Sequence, residues 1–158
     1  MKTYSYTSHS EDETRLLGLQ IGQHIQSCTC VGLNGTLGSG KTRLVKSIGE
    51  GLELDPETVV SPTFTICVPH QGRLKMLHLD AYRLRELEEV DELGLDEEIE
   101  RGAILLVEWA EKIDEALPPI DLEINATPVG DQMRQYDFVA KSEIGETLLE
   151  NITRQLKN

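Results

Sequence analysis

Residues 35–42 read GTLGSGKT: glycines at 35, 38 and 40, then a lysine and a hydroxyl. The pattern G-x-x-x-x-G-K-[ST] is met in full by Gly35, Gly40, Lys41 and Thr42. A loop that gives up its side chains lets backbone N–H groups close around a phosphate, in conformations that a Cβ disfavours. A helix beginning near Lys41 adds the positive end of its dipole. Lys41 then neutralises the outer phosphates, and the Thr42 hydroxyl can ligate Mg²⁺. The chemistry these residues predict is the binding of a nucleotide polyphosphate.

Such a site also needs an acid at the end of a neighbouring strand, and two are available. Glu108 follows the continuous apolar run AILLV (103–107), so it is expected at the carboxyl edge of a buried sheet, where ligands sit in open α/β folds. Asp80 ends LKMLHLD, an alternating and more exposed strand. Glu108 is expected as the metal-side carboxylate, directly or through water. Asp80 is expected as a second acid that orients water or shares the metal shell. For either residue the ordinary alternative is a solvated acid at a strand end.

The elements that must hold these groups follow from periodicity. Ser10 and Glu13 form a capping-box pattern ahead of apolar positions 16, 17, 21 and 25, which predicts a helix. CTCVGL predicts a short strand with Cys28 and Cys30 on one face, breaking at Asn34-Gly35. KTRLVKSIGEGL predicts the helix behind the loop. FTICVP and LKMLHLD predict a hairpin turning at HQG. Between Arg85 and Arg101 stand nine acids with leucines and Val90 among them, predicting one or two acidic amphipathic helices. AILLV predicts a strand buried on both faces. DLEINA and QYDFVA alternate as half-exposed strands, and SEIGETLLENITRQL predicts a closing helix. The whole reads as a single α/β domain over residues 1–158, a P-loop three-layer sandwich with a mostly parallel central sheet and an antiparallel portion.

Composition narrows the function classes. The chain has 15 Lys+Arg against 28 Asp+Glu, a formal net charge of -13. Such a surface repels DNA and anionic membranes, and contact with tRNA is expected only indirectly, through a partner. No run approaches the roughly 20 apolar residues of a membrane span. The polar MKTYSYTSHSEDE lacks the apolar core of a secretory signal. Three cysteines, an odd count, read as reduced thiols of a cytoplasmic protein.

Behind GTLGSGKT stand SPTF (61–64), HLDAYRL (78–84) and VEWAEK (107–112). In that order and at those distances the four stretches resemble the TsaE family, small bacterial P-loop ATPases needed to make threonylcarbamoyladenosine in tRNA. The resemblance covers roughly residues 10 to 140. It implies that Leu37, Gly38, Ser39, Gly40, Lys41 and Thr42, entered through Gly35 and Thr36, bind ATP or ADP. It further implies that Thr42 and Glu108 hold Mg²⁺, that Asp80 is required for hydrolysis, and that Thr63 in a switch-like segment lies near the γ-phosphate. Lys41, Asp80 and Thr63 are thus the catalytic candidates. Trp109 would stand beside the nucleotide, Glu11 at the adenine pocket, and Arg134 would reach the nucleotide from the far side. Tyr82 and Arg83 would line the same region or a partner surface.

The resemblance also implies a division of labour. The protein would not transfer the threonylcarbamoyl group itself. It would bind a TsaD–TsaB pair that modifies the adenosine next to the anticodon in tRNAs reading codons that begin with adenine, and slow ATP hydrolysis would reset that complex. The acidic 86–100 segment or the switch region would dock the partner, with a solvated helix face as the alternative for the former. One departure from the family pattern is Thr36, which stands where an acid is usual and puts any role of that acid in doubt. Two other readings compete. A small-molecule kinase would carry an arginine-rich lid, whereas Ser61–Val107 offers only Arg73, Arg83, Arg85 and Arg101 in an acidic setting. A nucleotide-gated adaptor would need differential partner binding without turnover.

Overall fold

A computed structural model describes residues 2–36, 39–54 and 67–157. Seven strands form one mixed sheet: β1 (Lys2–Ser8), β2 (Cys30–Gly35), β3 (Cys67–Gln71), β4 (Lys75–Asp80), β5 (Ile104–Glu108), β6 (Leu122–Pro128) and β7 (Arg134–Ala140). Their order is β1-β7-β6-β2-β5-β4-β3. The inner strands β6, β2, β5 and β4 run parallel to one another. β3 and the β7–β1 pair add antiparallel flanks. The expected α/β class, with a parallel centre and an antiparallel portion, is what the chain adopts.

The helices are α1 (Glu11–His24), α2 (Lys41–Gly51), α3 (Glu88–Asp91), α4 (Leu95–Glu100) and α5 (Glu143–Leu156). α1 starts as its sequence predicts. The Ser10 hydroxyl accepts from the Glu13 N–H at 3.1 Å. The Glu13 carboxylate reaches back to the His9 N–H, one residue ahead of the cap. Ser142 caps α5 in the same way through the Gly145 N–H. The acidic 86–100 segment divides into α3 and α4, broken at Gly94, whose φ of 65° is left-handed.

Two layers cover the sheet. On one face α1, α2 and α5 bury Leu17, Ile21, Leu44, Ile48 and Leu149 against Val31, Leu33, Ile104, Leu106 and Phe138. On the other, Leu84, Val90, Leu95, Ala110 and Ile113 from short helices and turns cover Leu77, Leu79, Leu105 and Val107. Because β5 is buried at every position, it reads as an unbroken apolar run, as parallel central strands do. α1 and α2 approach closely. A Cβ on Gly22 would lie 2.1 Å from the Ile48 carbonyl oxygen and 2.8 Å from the Gly51 Cα, so glycine is the residue that fits. This contact holds the helix that carries Lys41 and Thr42 against the rest of its layer.

Four details differ from the sequence reading. β4, expected as an alternating and more exposed strand, lies between β5 and β3 and is buried at Met76, Leu77, His78 and Leu79. β1 was not foreseen; it pairs with β7 from Lys2↔Ala140 to Ser8↔Arg134. Cys28 does not share a strand face with Cys30, because β2 begins only at Cys30 and Cys28 sits in a turn with φ 64°. The β3–β4 hairpin turns at 72–74, after HQ rather than within it, with Gln71 paired to Lys75. Arg73 then donates to the carbonyls of Gly22 and Ile25, both at 2.8 Å, and so closes the end of α1.

Candidate nucleotide site

The described part of the loop has the backbone its glycines anticipate. Gly35 takes φ 146°, and a Cβ there would sit 2.5 Å from the Ala126 carbonyl oxygen. Gly40 takes φ 95° as the residue before α2, a left-handed position that glycine adopts without strain. The first N–H groups of α2 therefore open toward the loop, where an anion is favoured. The Ser39 hydroxyl is buried and has no hydrogen-bond partner among the described residues. A buried donor without a partner suits a phosphate oxygen. Leu37, Gly38 and Thr63 lie outside the described residues, as does the rest of SPTF.

Lys41 is 6% exposed, although it carries a charge. Its Nζ donates to the Gly35 carbonyl and, at 3.0 Å, to the Thr36 carbonyl. The ammonium also lies 4.0 Å from the centroid of the Trp109 ring, within cation–π range. Burial lowers the Lys41 pKa, while Glu108, Glu111 and Asp80 act in the opposite direction. Trp109 holds its place through a left-handed backbone, φ 63°, rare for a residue with a bulky side chain. Its N–H donates to Leu33 at 2.8 Å, and its ring meets that of Tyr82 at 5.1 Å. Thr36, the departure from the family pattern, contributes its main chain: its carbonyl accepts from Lys41 and from the Ser39 N–H.

Beside this cradle the two strand-end acids meet. Asp80 and Glu108 are register partners at the ends of β4 and β5, so their side chains leave the same face of the sheet. The Thr42 hydroxyl donates to Glu108 Oε1 at 3.3 Å. Asp80 is half-buried and accepts from the Tyr82 N–H at 3.0 Å, which starts the 3₁₀ turn Ala81–Arg83. One hydroxyl and one carboxylate form an all-oxygen donor pair. That fits Mg²⁺, which keeps most of its coordination for water and phosphate.

The sequence reading passed over His78. It is fully buried, two residues before Asp80, and its Nε2 lies 2.5 Å from Glu108 Oε2. The signal was available in the period of two along LKMLHLD, which sets positions 78 and 80 on one face.

Two cavities flank the loop. A small one of about 110 Å³ is lined by Glu11, Thr14, Gly40, Arg43, Arg134 and Tyr136, and an Arg43–Glu11 ion pair at 2.9 Å crosses it. The fold thus brings Glu11 and Arg134 together beside Gly40, although they lie far apart in the chain. A larger cavity of about 630 Å³ lies on the other side, among Asn34, Thr36, Glu111 and Asn125. Its polar groups satisfy one another: Asn34 accepts from the Glu111 N–H at 3.1 Å and donates to Asn125 at 3.2 Å. Among the described residues, no helix is long and apolar enough to cross a membrane.

A family model described as threonylcarbamoyl adenosine biosynthesis protein TsaE matches residues 8–136. Curated relatives with the description tRNA threonylcarbamoyladenosine biosynthesis protein TsaE include one from Bacillus subtilis (strain 168). It is 35% identical over 155 residues, spanning 98% of this chain and 96% of the relative. One from Treponema pallidum (strain Nichols) is 33% identical over 128 residues, spanning 81% of this chain and 94% of the relative. The crystal structure of YdiB from Bacillus subtilis superposes with a TM-score of 0.81 at 30% identity, covering 99% of this chain and 97% of that one. With a family match over most of its length, and with relatives of that identity and span, this chain belongs to the TsaE family.

Proposed function

We propose that the chain binds ATP and ADP with Mg²⁺ and hydrolyses ATP slowly, acting in the cytoplasm with TsaD and TsaB in threonylcarbamoylation of tRNA. The observation that carries this reading is the convergence of the Thr42 hydroxyl and the Glu108 and Asp80 ends of two adjacent strands beside Lys41. The amides at the start of α2 and the Ser39 hydroxyl cradle the phosphates. Lys41 exchanges two loop carbonyls for phosphate oxygens, gaining a full negative partner for a buried cation. Thr42 and Glu108 would hold the metal, which when bound offsets phosphate charge. Asp80 orients the attacking water. Glu11 and Arg134 flank the adenosine, and the small volume between them leaves part of the base in solvent.

Partner use fits the charge. A net charge of -13 repels a polyanion, so tRNA is met through TsaD–TsaB. Loss of the γ-phosphate would change the surface shown to that pair.

The test is phosphate release from ATP by the purified chain, alone and with TsaD–TsaB, beside pull-down of that pair with ATP, ADP or no nucleotide. Slow release that the pair accelerates, with nucleotide-dependent capture, supports the reading. Nucleotide-dependent capture without release would replace it with the adaptor. Stoichiometric phosphorylation of an added metabolite would replace it with the kinase. Failure to bind ATP in Mg²⁺ would end it.

A further inference from the structure

We infer that His78 is a positioning residue of the magnesium site: it donates its Nε2–H to one oxygen of Glu108 and so presents the other oxygen to Thr42 and the metal. The inference rests on the proposed Mg²⁺-nucleotide reading and assigns a role to a residue outside the loop and the strand ends.

The geometry separates the two carboxylate oxygens. Oε2 faces His78 Nε2 at 2.5 Å, and Oε1 faces the Thr42 hydroxyl at 3.3 Å. His78 is fully buried and Glu108 is 3% exposed, so water does little to fix this carboxylate. A carboxylate offers only lone pairs, so the ring nitrogen facing it is the donor. Nδ1 has no partner among the described residues, which suits a bare acceptor better than an orphaned N–H.

A purely packing role would be filled more cheaply by an apolar side chain, as it is at Met76, two residues earlier on the same strand face. Among the described residues, the polar contact of His78 is with Glu108. Carboxylates that bind metals are commonly held from behind in this way, and losing the partner weakens metal binding about 10- to 100-fold. Among the described residues the side-chain hydrogen bond of His78 goes to Glu108 and not to Lys41 or the adenosine side, so nucleotide binding without metal should not depend on it.

The experiment is calorimetric titration of the full chain with ADP, first in EDTA and then at graded Mg²⁺, for the parent, Glu108→Ala, His78→Leu and His78→Gln. His78→Leu is expected to keep its ADP affinity in EDTA and to need about 10 to 100 times more Mg²⁺ for half-maximal enhancement. His78→Gln, which still offers an N–H at similar reach, should fall close to the parent. A folded His78→Leu with the parent's Mg²⁺ midpoint would overturn the inference. So would a glutamine variant as impaired as the leucine one.

If His78→Leu does not fold, ¹⁵N-histidine spectra of the parent decide the matter. A proton on Nε2 is expected, and a proton on Nδ1 alone overturns the assignment. If neither the parent nor Glu108→Ala shows any Mg²⁺ dependence, the metal reading itself fails. If those two differ and His78→Leu matches the parent, only the role of His78 fails.

Discussion

The ammonium of Lys41 rests 4.0 Å from the ring centroid of Trp109, the single tryptophan of the chain, while donating to the carbonyls of Gly35 and Thr36. A nucleotide drawing that ammonium onto its phosphates must change what lies against the indole. ATP or ADP is therefore expected to shift the Trp109 emission saturably. Lys41→Ala should weaken nucleotide affinity about 10- to 100-fold, the worth of a charge-assisted hydrogen bond in a buried setting. An emission spectrum unmoved by saturating ADP, with binding shown by calorimetry, would contradict this geometry.

The two strand-end acids should separate by what they disturb. Asp80→Asn is expected to bind ATP as the parent does and to release phosphate about 100-fold more slowly, as loss of a water-orienting base does. Glu108→Ala should change the Mg²⁺ dependence of binding. Full turnover in Asp80→Asn, measured by phosphate release, would move the water-orienting role elsewhere.

The crossing of α1 and α2 predicts a stability effect remote from the site. In Gly22→Ala the new methyl meets backbone atoms of Ile48 and Gly51, which cannot swing away as a side chain could. Overpacking of this kind costs about 1–3 kcal/mol, so Tm should fall by roughly 5 °C in a calorimetric scan. An unchanged Tm would mean that the two helices are not held this closely.

Alkaline stability follows from the thiols. Burial, helped by Asp121, pushes the Cys30 thiol up from 9.0 to about 12. Burial likewise pushes Cys67 up to about 11. The unfolded chain loses these protons first, so the stability they contribute is complete below pH 9 and declines as pH climbs toward the folded values. Cys30, the more deeply buried of the two, costs about 1.4 kcal/mol per pH unit in that window, and the partly exposed Cys67 costs less. Urea midpoints of Cys30→Ala should fall less steeply between pH 9 and 10.5 than those of the parent. Equal slopes would refute the assignment.

What could be read from the chain beforehand was whatever carries its own local pattern. The glycine loop, the capped α1 and α5, and the apolar run that leads into Glu108 at the end of β5 announce themselves within a few residues. β1 did not, because KTYSYTS is mostly polar; only Tyr4 and Tyr6, two apart, pack toward the core. An edge strand needs little apolar content, so hydropathy alone misses it. The acids at 80 and 108 were legible as strand ends. The His78–Glu108 contact was not, because it depends on which strands are neighbours and in what register. The meeting of Glu11 with Arg134 beside Gly40 is likewise a product of tertiary packing.

The pairing of β1 with β7 has a consequence for biosynthesis. Lys2 meets Ala140, so β1 leaves the ribosome well over a hundred residues before the strand that hydrogen-bonds it. During that wait its amides are open to other strands or to a chaperone. Completion of this sheet edge is a late event, and nascent chains arrested before β7 should leave β1 open to protease.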